Sequence, residues 1–218
     1  GQDVWINQSI DAGEFIHIAQ AREGIGGRVQ AGALTAGSFI EILGFRGNVQ
    51  TGPITTRGSC QRLRCGPRGI AIFDIKGDIT TGLLSTGRLS GDIGIVNIGG
   101  SVKTGTLTAG DSVGIVRVGG SVTIGAATVG DGEFDFSDEF AIIDVGGSVF
   151  IDGFIHSSGW VVVSEIGGRP FFRGPIHAAD SVEISSIGGD VALEYPISAV
   201  TGLFIEAANV DVSAKAPI

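Results

Sequence analysis

Several residue types are scarce or missing in this chain. Its 218 residues include no methionine, one tyrosine, two tryptophans, two cysteines and six prolines, and only 17% are charged. So few prolines, without a strict three-residue glycine period, exclude a collagen-like chain. No apolar run is long enough to span a membrane, because Gly, Asn, Asp or Ser interrupts each one. The formal net charge of −9 argues against nucleic acid as a partner, since both carry negative charge.

Glycine and aliphatic residues are what the chain has in abundance. It contains 38 glycines, and 43% of its residues are hydrophobic, which is ample for a core. Glycine recurs too often for helix, since each interior glycine costs roughly 1 kcal/mol relative to alanine. Because the chain starts at Gly1 with no signal peptide, we expect a processed mature protein or an excised domain.

A short motif repeats along the chain: an aliphatic residue, a spacer that is usually glycine, then Gly-x-aliphatic. Residues 25–29 and 98–102 are two examples, and from Gly27 to Gly189 the second glycines are separated by 20, 30, 23, 20, 27, 21 and 21 residues. Each unit contains three short β-branched segments separated by glycine corners. We predict one all-β domain over residues 1–218, a single-stranded right-handed parallel β-helix of about nine coils of about 20 residues, each with three short strands.

Alignment of the units on the second glycine predicts columns along the solenoid. Aliphatic residues stand two positions before it, two after it and five before it, as in Ile98, Val102 and Ile95. A further apolar column stands four positions before the second glycine, directly after the column of Ile95: Leu43, Phe73, Val96, Val116 and Ile143. Adjacent strand residues face opposite sides, so this column either faces outward as a lateral contact surface or is hidden by a local bend.

The two ends of the predicted solenoid have no helix to cover them. Trp5 and Ile6 lie in the first coil, residues 209–212 predict a fresh strand, and Val210, Val212 and Ile218 belong to the last coil. Open coil ends expose core and unpaired backbone groups. Flanking domains could cover them, or identical subunits could stack head to tail into a filament.

Two insertions, at about 57–69 and about 131–140, leave the solenoid at the same corner three coils apart. The first carries Arg57, Arg62, Arg64 and Arg68, and the second carries Asp131, Glu133, Asp135, Asp138 and Glu139. Complementary charge of this kind can fix the register of a contact, within one molecule or between subunits. The alternative is two solvated loops whose ion pairs contribute at most about 1 kcal/mol each.

Cys60 and Cys65 are the only cysteines, and they lie in the arginine-rich insertion. Two cysteines cannot complete a tetrahedral zinc site, so we predict a disulfide and an extracellular or cell-surface location. Asp131, Glu133 and Asp135 form a weak calcium candidate, because Phe136 stands where an EF-hand needs glycine. The sequence predicts no cofactor.

Catalytic candidates are few. The right-handed β-helix polysaccharide lyases and hydrolases use carboxylates stacked on adjacent coils, and Asp144 and Glu165 show a similar arrangement, near the spacing of a retaining glycosidase pair. A solvated polar row explains the same column. The three histidines, His17, His156 and His177, fall in positions that look unrelated, and we predict that they are surface residues.

The coil pattern resembles bacterial β-helix surface proteins, including adhesin passengers and polymerising solenoids such as bactofilins. The resemblance covers nearly the whole chain but concerns architecture only and implies no site residue. The first functional hypothesis is a structural subunit that self-associates into an extracellular filament or surface layer. The second is an adhesive or glycan-binding module of a larger secreted surface protein. The third is a polysaccharide lyase or hydrolase.

Overall fold

The computed structural model describes residues 3–6, 8–19, 27–57, 69–87, 91–130 and 139–206, together with the backbone of 213–214. All regular structure in these residues is β-strand. None of the described residues belongs to a helix that could cross a membrane.

The strands form three parallel sheets, which the chain visits in turn. Sheet A has ten strands, in the order β1 (Val4–Ile6), β4 (Val29–Ala31), β7 (Val49–Thr51), β10 (Ile79–Thr80), β13 (Val102–Lys103), β16 (Val122–Ile124), β19 (Val149–Ile151), β22 (Pro170–Phe172), β25 (Ala192–Leu193) and β28 (Ser213–Ala214). Sheet B has nine: β2 (Ile10–Ala12), β5 (Leu34–Ala36), β8 (Ile54–Thr56), β11 (Leu84–Ser85), β14 (Leu107–Ala109), β17 (Ala127–Val129), β20 (Ile155–Ser157), β23 (Ile176–Ala178) and β26 (Ile197–Ala199). Sheet C also has nine: β3 (Phe15–Ala19), β6 (Phe39–Leu43), β9 (Gly69–Ile75), β12 (Asp92–Ile98), β15 (Val113–Val118), β18 (Glu139–Val145), β21 (Trp160–Ile166), β24 (Ser181–Ile187) and β27 (Gly202–Ile205).

Each strand pairs in parallel with the equivalent strands one coil before and one coil after it. Ile115 of β15, for example, lies in register with Ile95 on one side and Ile142 on the other. One strand from each sheet makes one coil, and the nine strands of sheets B and C correspond to nine coils. The predicted parallel β-solenoid with three short strands in each coil is therefore confirmed.

The predicted inward columns form the core. The column five residues before the second glycine is entirely enclosed, with 0% exposure at Ile42, Ile72, Ile95, Ile115, Ile142, Val163 and Ile184. The two columns that flank the glycines are also buried wherever the structure describes them. Stacked aliphatic ladders of this kind remove nearly all of their surface from water, which is the main favourable contribution to folding.

The Gly-Gly corners stack directly on one another. A Cβ atom added to Gly119 would lie 2.5 Å from the carbonyl oxygen of Gly99, and one added to Gly146 would lie 2.5 Å from that of Gly119. Any side chain would therefore meet the backbone of the preceding coil. The repeated glycine is needed for this close approach of backbones.

The residue after the second glycine links neighbouring coils. The backbone amide of Ser121 donates to Oγ of Ser101, and the amide of Ser148 donates to Oγ of Ser121, both at 3.1 Å. The amide of Arg169 then donates to Oγ of Ser148 at 3.0 Å. These side chains satisfy amides at the corner, where the sheet ladder is interrupted.

A left-handed bend follows the apolar column that the sequence left ambiguous. Leu43, Phe73, Val96, Val116 and Ile143 face outward from sheet C and are half-buried. The residue that follows each of them has a positive φ, and so do the residues after Ser164 and Ser185 in the next two coils. The φ values lie between 52° and 78°, at Gly44, Asp74, Asn97, Arg117, Asp144, Glu165 and Ser186. Two consecutive residues therefore face outward before the chain turns back into the core.

Three of these seven bend positions, Arg117, Glu165 and Ser186, hold residue types that rarely adopt positive φ. An L-residue in this region pays about 1–2 kcal/mol, whereas glycine adopts it freely at an entropic cost of about 0.5–1 kcal/mol. We therefore expect Arg117→Gly to raise the free energy of unfolding by roughly 0.5–1 kcal/mol. Arg117→Val should lower it by roughly 1 kcal/mol or more, because β-branched side chains tolerate positive φ worst. Equilibrium urea unfolding of both variants measures this, and an equal loss in the two would contradict the strain.

Candidate functional site

One end of the solenoid is formed by β1, β2 and β3, each of which has a neighbouring strand on one side only within the described residues. Val4, Ile6 and Ile10 face the core and are only half-buried. Their register partners one coil further in include Val29 and Leu34, with 1% and 0% exposure. Within the described residues, no further coil covers these side chains on the end surface.

At the other end, β26 and β27 are the last described strands of sheets B and C, and β28 follows β25 in sheet A. Leu203 of β27 faces the core yet is 38% exposed, whereas Val182, its partner one coil before, is 1% exposed. Ile205 and Ala199 are half-buried. Val210, Val212 and Ile218, predicted as assembly contacts, lie outside the described residues, as do residues 209–212, where the sequence predicted a strand.

The same core columns run through both ends. Following the register from coil to coil, Leu203 belongs to the column that starts at Ile16, and Ile205 belongs to the column that starts at Ile18. In sheet B, Ile197 stands in the column of Ile10. The last described coil could therefore be continued by a coil like the first without a change of residue type in these columns.

Of the two predicted contacts near the first end, Ile6 faces the core and Trp5 does not. Trp5 faces outward from sheet A, in register with Gln30, and is 59% exposed. It therefore lies on the side of the solenoid, next to its edge.

Both insertions connect a strand of sheet B to a strand of sheet C, β8 to β9 and β17 to β18, so they share one corner. Gly69 and Glu139 are the first residues of β9 and β18. Arg57, at the start of the basic insertion, contacts Asp11 of the same chain, with Nη2 2.6 Å from Oδ2. The remaining predicted residues there lie outside the described residues: Arg62, Arg64, Arg68, Cys60, Cys65, Asp131, Glu133, Asp135 and Asp138.

Asp144 and Glu165 occupy the left-handed bend on adjacent strands. Both side chains are exposed, and Arg117 and Ser186 hold the equivalent position on the coils before and after. Two coils further along the row, Asn97 donates a hydrogen bond from Nδ2 to Oδ1 of Asp74. The bend itself accounts for a row of exposed polar residues here, so this geometry requires no catalytic role.

Among the described acids, Asp180 has the pKa that its surroundings shift most clearly. A hydrogen bond from the Thr201 side chain, with smaller contributions from Ser181 and Trp160, holds the pKa of Asp180 below its usual value, against a weaker opposing effect of burial. Its backbone carbonyl also accepts the amides of Val200 and Thr201. The residue fastens the corner that leads into β27, close to the open end.

Aromatic side chains are spread over the surface. Trp160 on β21 and Tyr195 before β26 are 43% and 49% exposed, and they belong to different elements from Trp5. On sheet A, Phe150 and Phe171 stack with ring centroids 5.0 Å apart and planes within 4°. Their faces are directed at each other, and the Arg169 guanidinium lies 5.2 Å from the Phe171 centroid, which leaves little open ring surface between them.

A single outward column runs along the whole of sheet B. It is composed of Asp11, Thr35, Thr55, Ser85, Thr108, Thr128, His156, His177 and Ser198. The histidines are exposed, as predicted, but the prediction that their positions are unrelated is wrong for His156 and His177, which are register partners. A sequence signal existed, because Ile155-His156 and Ile176-His177 are separated by one 21-residue repeat. His17 lies elsewhere, on β3, and contacts Glu41.

The chain resembles β-solenoid surface and structural proteins in architecture alone. No family model matches it, and comparisons with curated proteins and with solved structures find no significant match.

Proposed function

We propose that the chain is a structural subunit that self-associates end to end, as part of an extracellular filament or surface layer. The observation that carries the proposal is the exposure of core-facing side chains at both ends of the described coils, at Val4, Ile6 and Ile10 on one end and at Leu203 on the other. Stacking would bring the columns of Leu203 and Ile205 towards those of Ile16 and Ile18 in the next copy. In sheet A the strand that faces the next copy is β28, which pairs with β25.

The energetic argument is the burial of apolar surface together with the pairing of edge strands. Exposed strand edges are templates for pairing with another chain. The contact would join the β27 end of one subunit to the β1–β3 end of the next. A head-to-tail contact of this kind produces a filament when the subunits do not close into a ring. The extracellular or cell-surface location is supported by the predicted Cys60–Cys65 disulfide, since disulfides persist in oxidising compartments.

The test compares the assembly of the protein with that of two lysine variants on one strand. Leu203→Lys places an ammonium group on the end surface, where stacking would bury it, and unpaired buried charge costs several kcal/mol. Phe204→Lys places the same group on the outer face of β27, where Phe204 is 53% exposed. Negative-stain microscopy and sedimentation velocity across concentrations should show rods for the unmodified chain and for Phe204→Lys, with only monomers for Leu203→Lys.

Circular dichroism and thermal unfolding serve as the folding control for both variants. Rod length should grow in steps of about 40 Å, because nine coils stack at about 4.8 Å each. Monodisperse monomers of the unmodified chain at every concentration would refute the proposal. So would rods of Leu203→Lys that form at the same concentration as those of the unmodified chain.

A further inference from the structure

Two histidines of neighbouring coils stack on the outer face of sheet B. The rings of His156 and His177 have centroids 5.0 Å apart, with planes within 14° of parallel. Both side chains are exposed, and the β20–β23 register pairs the two residues directly. From this arrangement we propose that the pair binds a divalent first-row transition ion of the nickel, copper or zinc type.

The ring geometry is close to what two ligands of one ion require. With metal–nitrogen bonds of 2.0–2.1 Å, two nitrogens on a tetrahedral ion lie about 3.4 Å apart. The ring centroids are 5.0 Å apart, so rotation about χ1 and χ2 that turns one nitrogen of each ring towards a shared ion would bring the two nitrogens to that tetrahedral separation.

The ligand type selects the ion. Imidazole nitrogen suits nickel, copper and zinc, whereas calcium and magnesium take oxygen ligands. Within the described residues, no group of three or more His, Cys, Asp or Glu side chains could hold a metal. Among the described residues the site therefore has two ligands, and water would complete the coordination.

The pair exists only because the coils stack in this register. Folding holds the second imidazole beside the first. Once one imidazole has bound the ion, the other is present at an effective concentration in the millimolar range or above. We expect the loss of either histidine to weaken binding by about 10-fold or more. An ion that binds the folded state but not the unfolded state also raises the melting temperature of the protein. This inference is independent of end-to-end assembly, since the pair lies on a side face.

The experiment is a calorimetric titration of tag-free protein with Ni²⁺. The unmodified chain should bind one ion that EDTA removes, and His156→Ala and His177→Ala should each bind it at least about 10-fold more weakly. His17→Ala is the matched control and should bind as the unmodified chain does, because His17 lies on sheet C. Binding that persists in both single variants, or that is lost with His17, would overturn the proposal.

A rescue variant separates metal ligation from a merely structural role. Ser198 follows His177 in the same column and is exposed. Adding Ser198→His to His156→Ala moves the pair by one coil, so Ni²⁺ affinity should return to within a few-fold of that of the unmodified chain. Failure of the rescue in a variant with an unchanged melting temperature would also count against the site, as would the absence of Ni²⁺ binding at 100-fold molar excess.

Discussion

Gly146→Ala is expected to lower the free energy of unfolding by about 1–3 kcal/mol. The added Cβ would lie 2.5 Å from the carbonyl oxygen of Gly119 and 3.3 Å from its carbonyl carbon. These are backbone atoms of the preceding coil, and sheet hydrogen bonds on both sides of the corner hold that backbone in place. The clash can be relieved only by separating two coils, which weakens all three sheets. Equilibrium urea unfolding measures the effect.

Gly114→Ala is the matched control. Gly114 faces outward from β15, and an added Cβ there would meet no atom within 4 Å. Because glycine in a strand costs roughly 0.5–1 kcal/mol relative to alanine, this variant should be neutral or slightly more stable. If both variants lose the same stability, the close stacking of the Gly-Gly corners is not the reason that glycine recurs there.

The core columns could be predicted from the sequence because one corner is almost invariant. The second glycine of the motif recurs at this corner from Gly27 to Gly189, so positions counted from it over a few residues fall on the correct face. Ile95, Ile98 and Val102 are buried as predicted. The regular hydrophobic pattern was therefore enough to predict the fold. The two longest separations between second glycines, 30 and 27 residues, mark the two insertions at one corner.

The same counting aligns the two histidines with each other but not with the hydroxyl residues that precede them in the sheet B column. Thr128 stands eight residues after its second glycine, whereas His156 and His177 stand nine after theirs. The structure explains the shift, because the later corners between sheets A and B contain one more residue, Asp152 or Arg173. These two side chains form an ion pair, with Nη1 of Arg173 2.9 Å from Oδ1 of Asp152. A single added residue moved the column out of alignment.

The sequence carries only a partial signal for the left-handed bend. Gly44, Asp74, Asn97 and Asp144 are residue types that adopt positive φ more readily, while Arg117, Glu165 and Ser186 are not. The pleat alone would place Ile143 outward and Asp144 inward. Only the backbone conformation shows that both Ile143 and Asp144 face outward. The column of Ile142 therefore faces the core, and the column of Ile143 faces outward.

Ile142→Ala is expected to lower the free energy of unfolding by about 2–5 kcal/mol, whereas Ile143→Ala should lower it by about 1 kcal/mol. The two residues are adjacent on β18 and chemically identical, but Ile142 is 0% exposed in the core and Ile143 is half-buried on the outer face. Truncation of Ile142 leaves a cavity between Ile115 and Val163, its register partners. Solvent reaches Ile143, so its truncation leaves no enclosed cavity.

Urea unfolding of the two alanine variants tests which column faces inward. Equal losses, or a larger loss for Ile143→Ala, would mean that the strand is placed with the wrong face towards the core. Coils of a solenoid contact only their neighbours, so a cavity in β18 should weaken the central stack without affecting the end surfaces. Any assembly through those ends should therefore be retained by Ile142→Ala under conditions in which it remains folded.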